Sequence, residues 1–186
     1  KLYNGAGRIG PTLKPAAHLT IRFITSYEYS NQGGYPDGLY NADKGTTEAV
    51  NYNNEGLYRR NLLTAGINIR YNGPHISFNS QTSYQYIQDK MGIDQDFSPR
   101  NIFYGQNKIR QHMYCHEFTV KSVNKSRYHW ITGAFVFRQT INRKVDLSRF
   151  TDTTRHLTNS GIPTQGIAFY HQSTLDLLQG LSCSVG

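Results

Sequence analysis

The chain has 186 residues, enough for one ordinary domain with a core of its own. Hydrophobic residues make up only 37%, mean hydropathy is −0.60, and no stretch approaches the roughly 18 apolar residues of a spanning helix, so an α-helical membrane protein is excluded. Fourteen Tyr and nine Phe are too many for a disordered chain, and a net charge of +8 is scattered with no basic run longer than Arg59-Arg60, which argues against a nucleic-acid stripe.

Residues 6–13 read as a first strand. Overlapping it, Gly5-Ala-Gly-Arg-Ile-Gly10 matches GxGxxG, but a dinucleotide site needs a preceding strand and a following helix, and here Pro11 and a strand follow. In 19–29, Leu19, Ile21, Phe23, Tyr27 and Tyr29 share one face, opposite Thr20, Arg22, Ser26 and Glu28. Residues 30–56 form a long polar loop. In 63–71 the apolar face is Leu63, Ala65, Ile67, Ile69 and Tyr71; in 76–86 it is Ile76, Phe78, Tyr84 and Tyr86. A second long loop, 89–109, precedes strand 113–121, where Tyr114, Phe118 and Val120 alternate with Glu117, Thr119 and Lys121. Strand 128–138, apolar on both faces around Trp130, leads to a third long loop, 139–163, and then to strands 164–173 and 180–186. The only helical candidate, Thr174 to Gln179, is too short to stand. The fold class is therefore all-β, an antiparallel up-and-down meander of about eight strands.

Between the long loops lie short, turn-rich connections at Lys14–Ala17, Asn72–His75, Val123–Arg127 and Thr174–Gln179. Short and long alternate, so the long loops 30–56, 89–109 and 139–163 leave one end of the sheet. That asymmetry is the habit of outer-membrane barrels. Aromatic residues bracket the apolar stretches: Tyr27, Tyr29, Tyr84, Tyr86 and Tyr114 toward the long loops, Tyr71, Tyr128 and Trp130 toward the short turns. Two such belts fit the two membrane–water interfaces. The sheet is thus expected to be part of a transmembrane β-barrel.

Candidate site residues follow from the same alternation. If the apolar face meets lipid, Arg22, Glu28, Arg70, Glu117 and Lys121 face a water-filled lumen, where they line a ligand path or hold a plug. Loop tyrosines Tyr35, Tyr40, Tyr52 and Tyr104 are placed to stack on a ligand from outside. His112 and His116 share a strand face about 13 Å apart, too far to chelate one ion. Asp89, Asp94 and Asp96 lack the Gly-and-Glu spacing of a calcium loop. Cys115 and Cys183, too few for a disulfide scaffold, fall on opposite faces and are poor disulfide partners. No metal or cofactor site is expected, and no nucleophile elbow, Ser/His/Asp spacing or carboxylate pair suggests an enzyme.

Several stretches resemble the barrel of TonB-dependent outer-membrane receptors, in the style of Bacteroides-like bacteria. They include Tyr27-Glu-Tyr-Ser-Asn-Gln-Gly-Gly-Tyr-Pro36, Tyr58-Arg-Arg-Asn61, Asp94-Gln-Asp-Phe-Ser-Pro99 and Gln111-His-Met113. Glu117-Phe-Thr-Val-Lys-Ser122, Ser126-Arg-Tyr-His-Trp130, Gly133-Ala-Phe135 and His171-Gln-Ser-Thr174 continue the set in the family's order, over nearly the whole chain. The resemblance implies uptake of a scarce small nutrient, such as a ferric siderophore, cobalamin or an oligosaccharide, at the bacterial cell outer membrane. It also implies an N-terminal plug domain inside a barrel of about 22 strands, powered through TonB, with outer-membrane lipid and lipopolysaccharide as surroundings. Residues 1–186 carry neither plug nor TonB box and stop within a strand pattern, so the chain is expected to be a partial barrel, a fragment of such a transporter. Two other readings stay open. One is a complete small eight-stranded outer-membrane protein. The other is a soluble Tyr-rich β-sandwich that binds carbohydrate.

Overall fold

Where side chains alternate apolar and polar and each strand is followed by a turn, consecutive strands pair back on one another. The computed structural model, which describes residues 2–34, 38–123 and 126–186, does this throughout. The strands are β1 (Leu2–Ile9), β2 (Thr12–Ala16), β3 (Leu19–Gly33), β4 (Tyr40–Asn41), β5 (Thr46–Thr47), β6 (Leu57–Asn72), β7 (Ile76–Asp94), β8 (Phe103–Ser122), β9 (Tyr128–Arg149), β10 (Thr154–Leu178) and β11 (Leu181–Val185). All but β4 and β5, which pair with each other, belong to one antiparallel sheet in the order β1-β3-β6-β7-β8-β9-β10-β11, with β2 following β1 along β3. The sheet is an open meander: β1 and β11 are its ends and do not pair with each other. It forms one layer, where a sandwich would have two.

Both edges carry proline, which has no N–H to donate to a ladder and is confined to edge strands, strand starts or bulges. Pro11 separates β1 from β2 while the register with β3 continues, Ile9 opposite Thr25 and Thr12 opposite Arg22. Pro163 lies in the part of β10 paired with β9 alone, opposite Thr140.

The apolar alternation is local and appears where it was expected, but the strands run well past it. The expected loop 89–109 is mostly strand, because β7 continues to Asp94 and β8 begins at Phe103. The expected loop 139–163 is a long hairpin of β9 and β10, paired up to Arg149 opposite Thr154, with only four tip residues between. Residues 164–173 and 174–178, separate in the pattern, are both inside β10, and the turn there shrinks to Gln179-Gly180, with Gly180 at φ +85°. Above the apolar band the alternation thins, and in β9 it changes face, with Ile141, Val145 and Leu147 on the side that is polar lower down and Asn142, Lys144 and Asp146 on the other, while backbone hydrogen bonding keeps the strands paired. The 30–56 stretch alone remains mainly loop: β3 takes in 30–33, and among the described residues beyond it stands the β4–β5 ribbon.

The long ends brace one another. Gly34 N–H donates to Gly56 O at 2.6 Å, Asn53 N–H to Ser98 O at 3.2 Å, and Phe150 N–H to Ile102 O at 2.9 Å. Asp94, 2% exposed, accepts the backbone N–H of Asn54 and of Asp96, both at 3.2 Å.

No hydrophobic side chain is buried among the described residues. A single sheet has no second layer to cover it, so Phe23 at 40%, Phe118 at 38%, Ile167 at 65% and Phe169 at 76% stay exposed. This is the feature from which the functional reading starts.

Candidate functional site on the polar face

Register decides which side chains share a face. Thr20 lies opposite Arg70, Arg22 opposite Asn68, and Glu28 opposite Leu62. Gln81 faces Glu117 and Ser77 faces Lys121, while Asn68 faces Gln81. Arg22, Glu28, Arg70, Glu117 and Lys121 therefore all project from one face. The opposite face carries Ile21, Phe23, Ile67, Ile69, Phe118 and Val136.

The five do not converge on one point. Arg22 and Arg70 border a shallow depression floored at Gly66, with Asn68, Gln81 and Ser83 around it. Arg22 reaches Thr12 Oγ1 at 3.4 Å. Glu117 stands two strands further on, where the Tyr170 hydroxyl donates to its Oε1 at 3.2 Å and meets Thr119 Oγ1 at 2.6 Å. Tyr170 lies flat over Gly133, so closely that a Cβ there would collide with its ring and sit 2.6 Å from Phe118 O. Lys121 is exposed at the short-turn end, and Glu28 is at the opposite end of the face.

Sequence reasoning missed a doubly bonded ion pair on this face. Arg60 clamps Asp89 with two bonds, Nε at 2.9 Å and Nη2 at 2.8 Å, and the Arg60 guanidinium lies 5.6 Å from the Tyr58 ring centre. Both share the face of Glu28. The parity of Arg60 with Arg70 is visible in the sequence, but Asp89 falls in the stretch expected as loop, where no partner can be read.

The remaining candidates divide as follows. Tyr104 is a strand residue of β8, not a loop residue, and it occupies the apolar-side face, its ring lying over Gly92. This corrects its place among the outer loops, for the same reason that the hairpin outgrew its pattern. Tyr35 lies outside the described residues. Tyr40 is exposed on β4, and Tyr52 lines a small cavity with Gly34, Leu57, Met91 and Phe97. His112 and His116 hydrogen-bond across to β7, His112 Nδ1 with the Tyr84 hydroxyl at 3.0 Å and His116 Nδ1 with Thr82 Oγ1 at 2.8 Å.

The three aspartates serve structure. Asp89 pairs with Arg60, Asp94 holds the neighbouring loop, and Asp96 accepts the Phe103 N–H at 2.8 Å and the Ser98 N–H at 3.1 Å. Burial alone would push the Asp96 carboxyl up, but bonds from the Ser98 hydroxyl and from backbone N–H groups outweigh it and hold it below its ordinary value. No cluster of three His, Cys, Asp or Glu suited to a metal occurs among the described residues. Cys115 and Cys183 are both free thiols.

No protein-family model and no curated protein matches the chain. Among solved structures, it is similar to the ferric yersiniabactin uptake receptor FyuA from Yersinia pestis, with a TM-score of 0.58 and 9% identity. The alignment covers 95% of this chain and 36% of that receptor, so the chain spans about a third of its length. At that identity the likeness establishes the fold alone: an antiparallel meander like the one found in that uptake receptor. The neighbour is a transport receptor rather than an enzyme.

Proposed function

We propose that residues 1–186 form part of the wall of an outer-membrane β-barrel, in a transporter of the TonB-dependent receptor type. The observation that carries this reading is the apolar face, which no other part of the described chain covers. A sheet exposing such a face needs a matching apolar medium. From Leu19 to Tyr29, β3 supplies the roughly 9–11 residues a tilted membrane strand requires. Tyr71, Phe78, Tyr128 and Trp130 flank this band at the short turns. Tyr27, Tyr84, Tyr86 and Tyr114 flank it at the other end, with Tyr84 and Tyr114 rings 4.7 Å apart.

Within the band, Thr82 and His116 hydrogen-bond to each other, as a lipid environment favours. On the reverse face, Arg22, Glu28, Arg70, Glu117 and Lys121 line a wet lumen toward a plug and a small nutrient ligand. The open edges β1/β2 and β10/β11 then continue into further barrel strands. The extended hairpins face outward from the cell. A siderophore, cobalamin or an oligosaccharide is the class of cargo such receptors take, and the residues of this wall act by binding and guiding it, without chemistry of their own.

The test is an immunoblot of fractionated source cells with an antibody against residues 89–109, repeated on intact cells. The reading expects a band several times heavier than 21.2 kDa in the outer-membrane fraction, and antibody binding to unbroken cells. A membrane band near 21 kDa would replace the reading with a small complete barrel. A soluble band of that size would overturn it.

A further inference from the structure

Above the tyrosines, on the apolar-side face, register assembles a feature that is invisible in the sequence. Arg59 lies opposite Lys90, Lys90 opposite Lys108, and Lys108 opposite Lys144. Four cations on four adjacent strands thus stand in one cross-strand row, and like charges directly opposite one another destabilise a sheet. The row ends in neutral residues, with Asn31 opposite Arg59 and Asn159 opposite Lys144. Arg59 Nε donates to Asn31 Oδ1 at 3.2 Å.

Among the described residues no carboxylate forms an ion pair with any of the four. The nearby acid, Asp146, is bonded by Arg155 at 2.8 and 2.5 Å and also feels the charges of Lys144 and Lys108, so a single carboxylate is shared among three cations. Arg110, one row closer to the tyrosines, faces Gln88 and Asn142, so it adds charge without relieving any. Gly161 leaves a depression there, bordered by Lys108, Arg110, Lys144 and Asn159.

Building on the membrane reading above, we propose that this row binds the phosphate groups of the outer-leaflet glycolipid. The row lies four residues beyond Leu63, Tyr86, His112 and Thr140, or about 13 Å along the strands and about 9 Å in depth at a 45° tilt. That is the level of headgroups, and the face is continuous with the one that meets the acyl chains. Phosphates supply the counter-charge that one carboxylate, already paired with Arg155, leaves short, and they do so only when the barrel is in its own leaflet. Free anions in solution would reach the lumen face equally well, so a row confined to the lipid side selects a lipid-borne phosphate.

The test uses the whole receptor purified from the outer membrane in detergent, titrated at low salt with fluorescently labelled bis-phosphorylated lipid A and with its dephosphorylated analogue. Lys90→Gln, Lys108→Gln and Lys144→Gln together should weaken binding of the phosphorylated probe by ~100-fold, about fivefold for each lysine at an anionic surface. Binding of the dephosphorylated analogue should be unchanged. A control removing three cations elsewhere (Arg8→Gln, Lys44→Gln and Arg143→Gln, where Arg143 is next to Lys144 on the other face) should leave binding intact. An unaltered affinity in the row variant, or an equal loss in the control, overturns the proposal.

A second arm separates it from the reading on which it rests. In a Cys115→Ser, Cys183→Ser background, Ile67→Cys should be shielded from a membrane-impermeant maleimide in isolated outer membranes, while Thr46→Cys reacts. Fast labelling at position 67 removes the membrane reading and the proposal with it. Shielding combined with unchanged lipid A binding removes the proposal alone.

Discussion

Ile67→Arg is the substitution that most directly probes which face of the sheet meets lipid. Ile67 stands across from Phe23 on β3 and Thr82 on β7, with Ala65 and Ile69 on the same face of its own strand. It is four residues from Tyr71 and four from Leu63, which lies in the row of Tyr27 and Tyr86. At about 3.3 Å per residue it is midway between the two aromatic belts, hence near the bilayer midplane. An arginine there costs about 2–4 kcal/mol, a roughly 30- to 800-fold shift in the folding equilibrium. Gln81→Arg is the matched control: it lies at nearly the same depth, opposite Asn68 and Glu117, on the polar face. There the new guanidinium stays in water beside a carboxylate, and the change should remain within about 0.5 kcal/mol. Urea titration of the receptor refolded into vesicles, followed by heat-modifiable mobility on gels, measures both. Equal effects from the two arginines, or a larger loss from Gln81→Arg, would refute the assignment of faces.

Three further outcomes follow from particular contacts. Gly133→Ala drives a Cβ into the Tyr170 ring and against the Phe118 carbonyl, so stability should fall by about 1–3 kcal/mol. A double-mutant cycle with Tyr170→Ala should recover part of that loss. Arg60→Gln removes both bonds to the Asp89 carboxylate, whose side chain is 15% exposed; because Arg60 itself is 40% exposed, the loss is expected near 1 kcal/mol, with Arg60→Lys recovering less than half. Asp96 is held below its ordinary value in the folded loop, so its contribution is complete above about pH 4 and disappears as pH falls through the folded value. Limited proteolysis with an acid-stable protease should therefore cut residues 95–102 faster at pH 3 than at pH 6. Asp96→Asn should cut at similar rates at both.

The alternation in 19–29, 63–71, 76–86 and 113–121 was legible because strand pleating is a local, two-residue property. A single strand is enough to show that Arg22 and Glu28 oppose Ile21 and Phe23. The same logic placed Arg22, Glu28, Arg70, Glu117 and Lys121 together on one face before any pairing was known. It failed at Tyr104, at Asp89 and over 139–163, where apolar residues are sparse and, in β9, Ile141, Val145 and Leu147 fall on the opposite face from the apolar band below. There only backbone hydrogen bonds from the neighbouring strand hold the chain extended. Pro163 reads as a loop residue in the sequence, yet it lies within β10 opposite Thr140 of β9.

By itself, then, the sequence determined the β class, the identity of the two faces, the aromatic ends of the apolar band and the end of the sheet with the longer connections. Each of these is written in neighbouring residues. The tertiary structure decided how far the hairpins rise, that the sheet stays open at both edges, and which side chains stand opposite one another. Arg60 meets Asp89, Tyr170 covers Gly133, and Arg59, Lys90, Lys108 and Lys144 form one row, because strand register brings together residues far apart in the chain. Pairing is a non-local choice, and a shift of one residue along any strand would send each of those side chains to the other face.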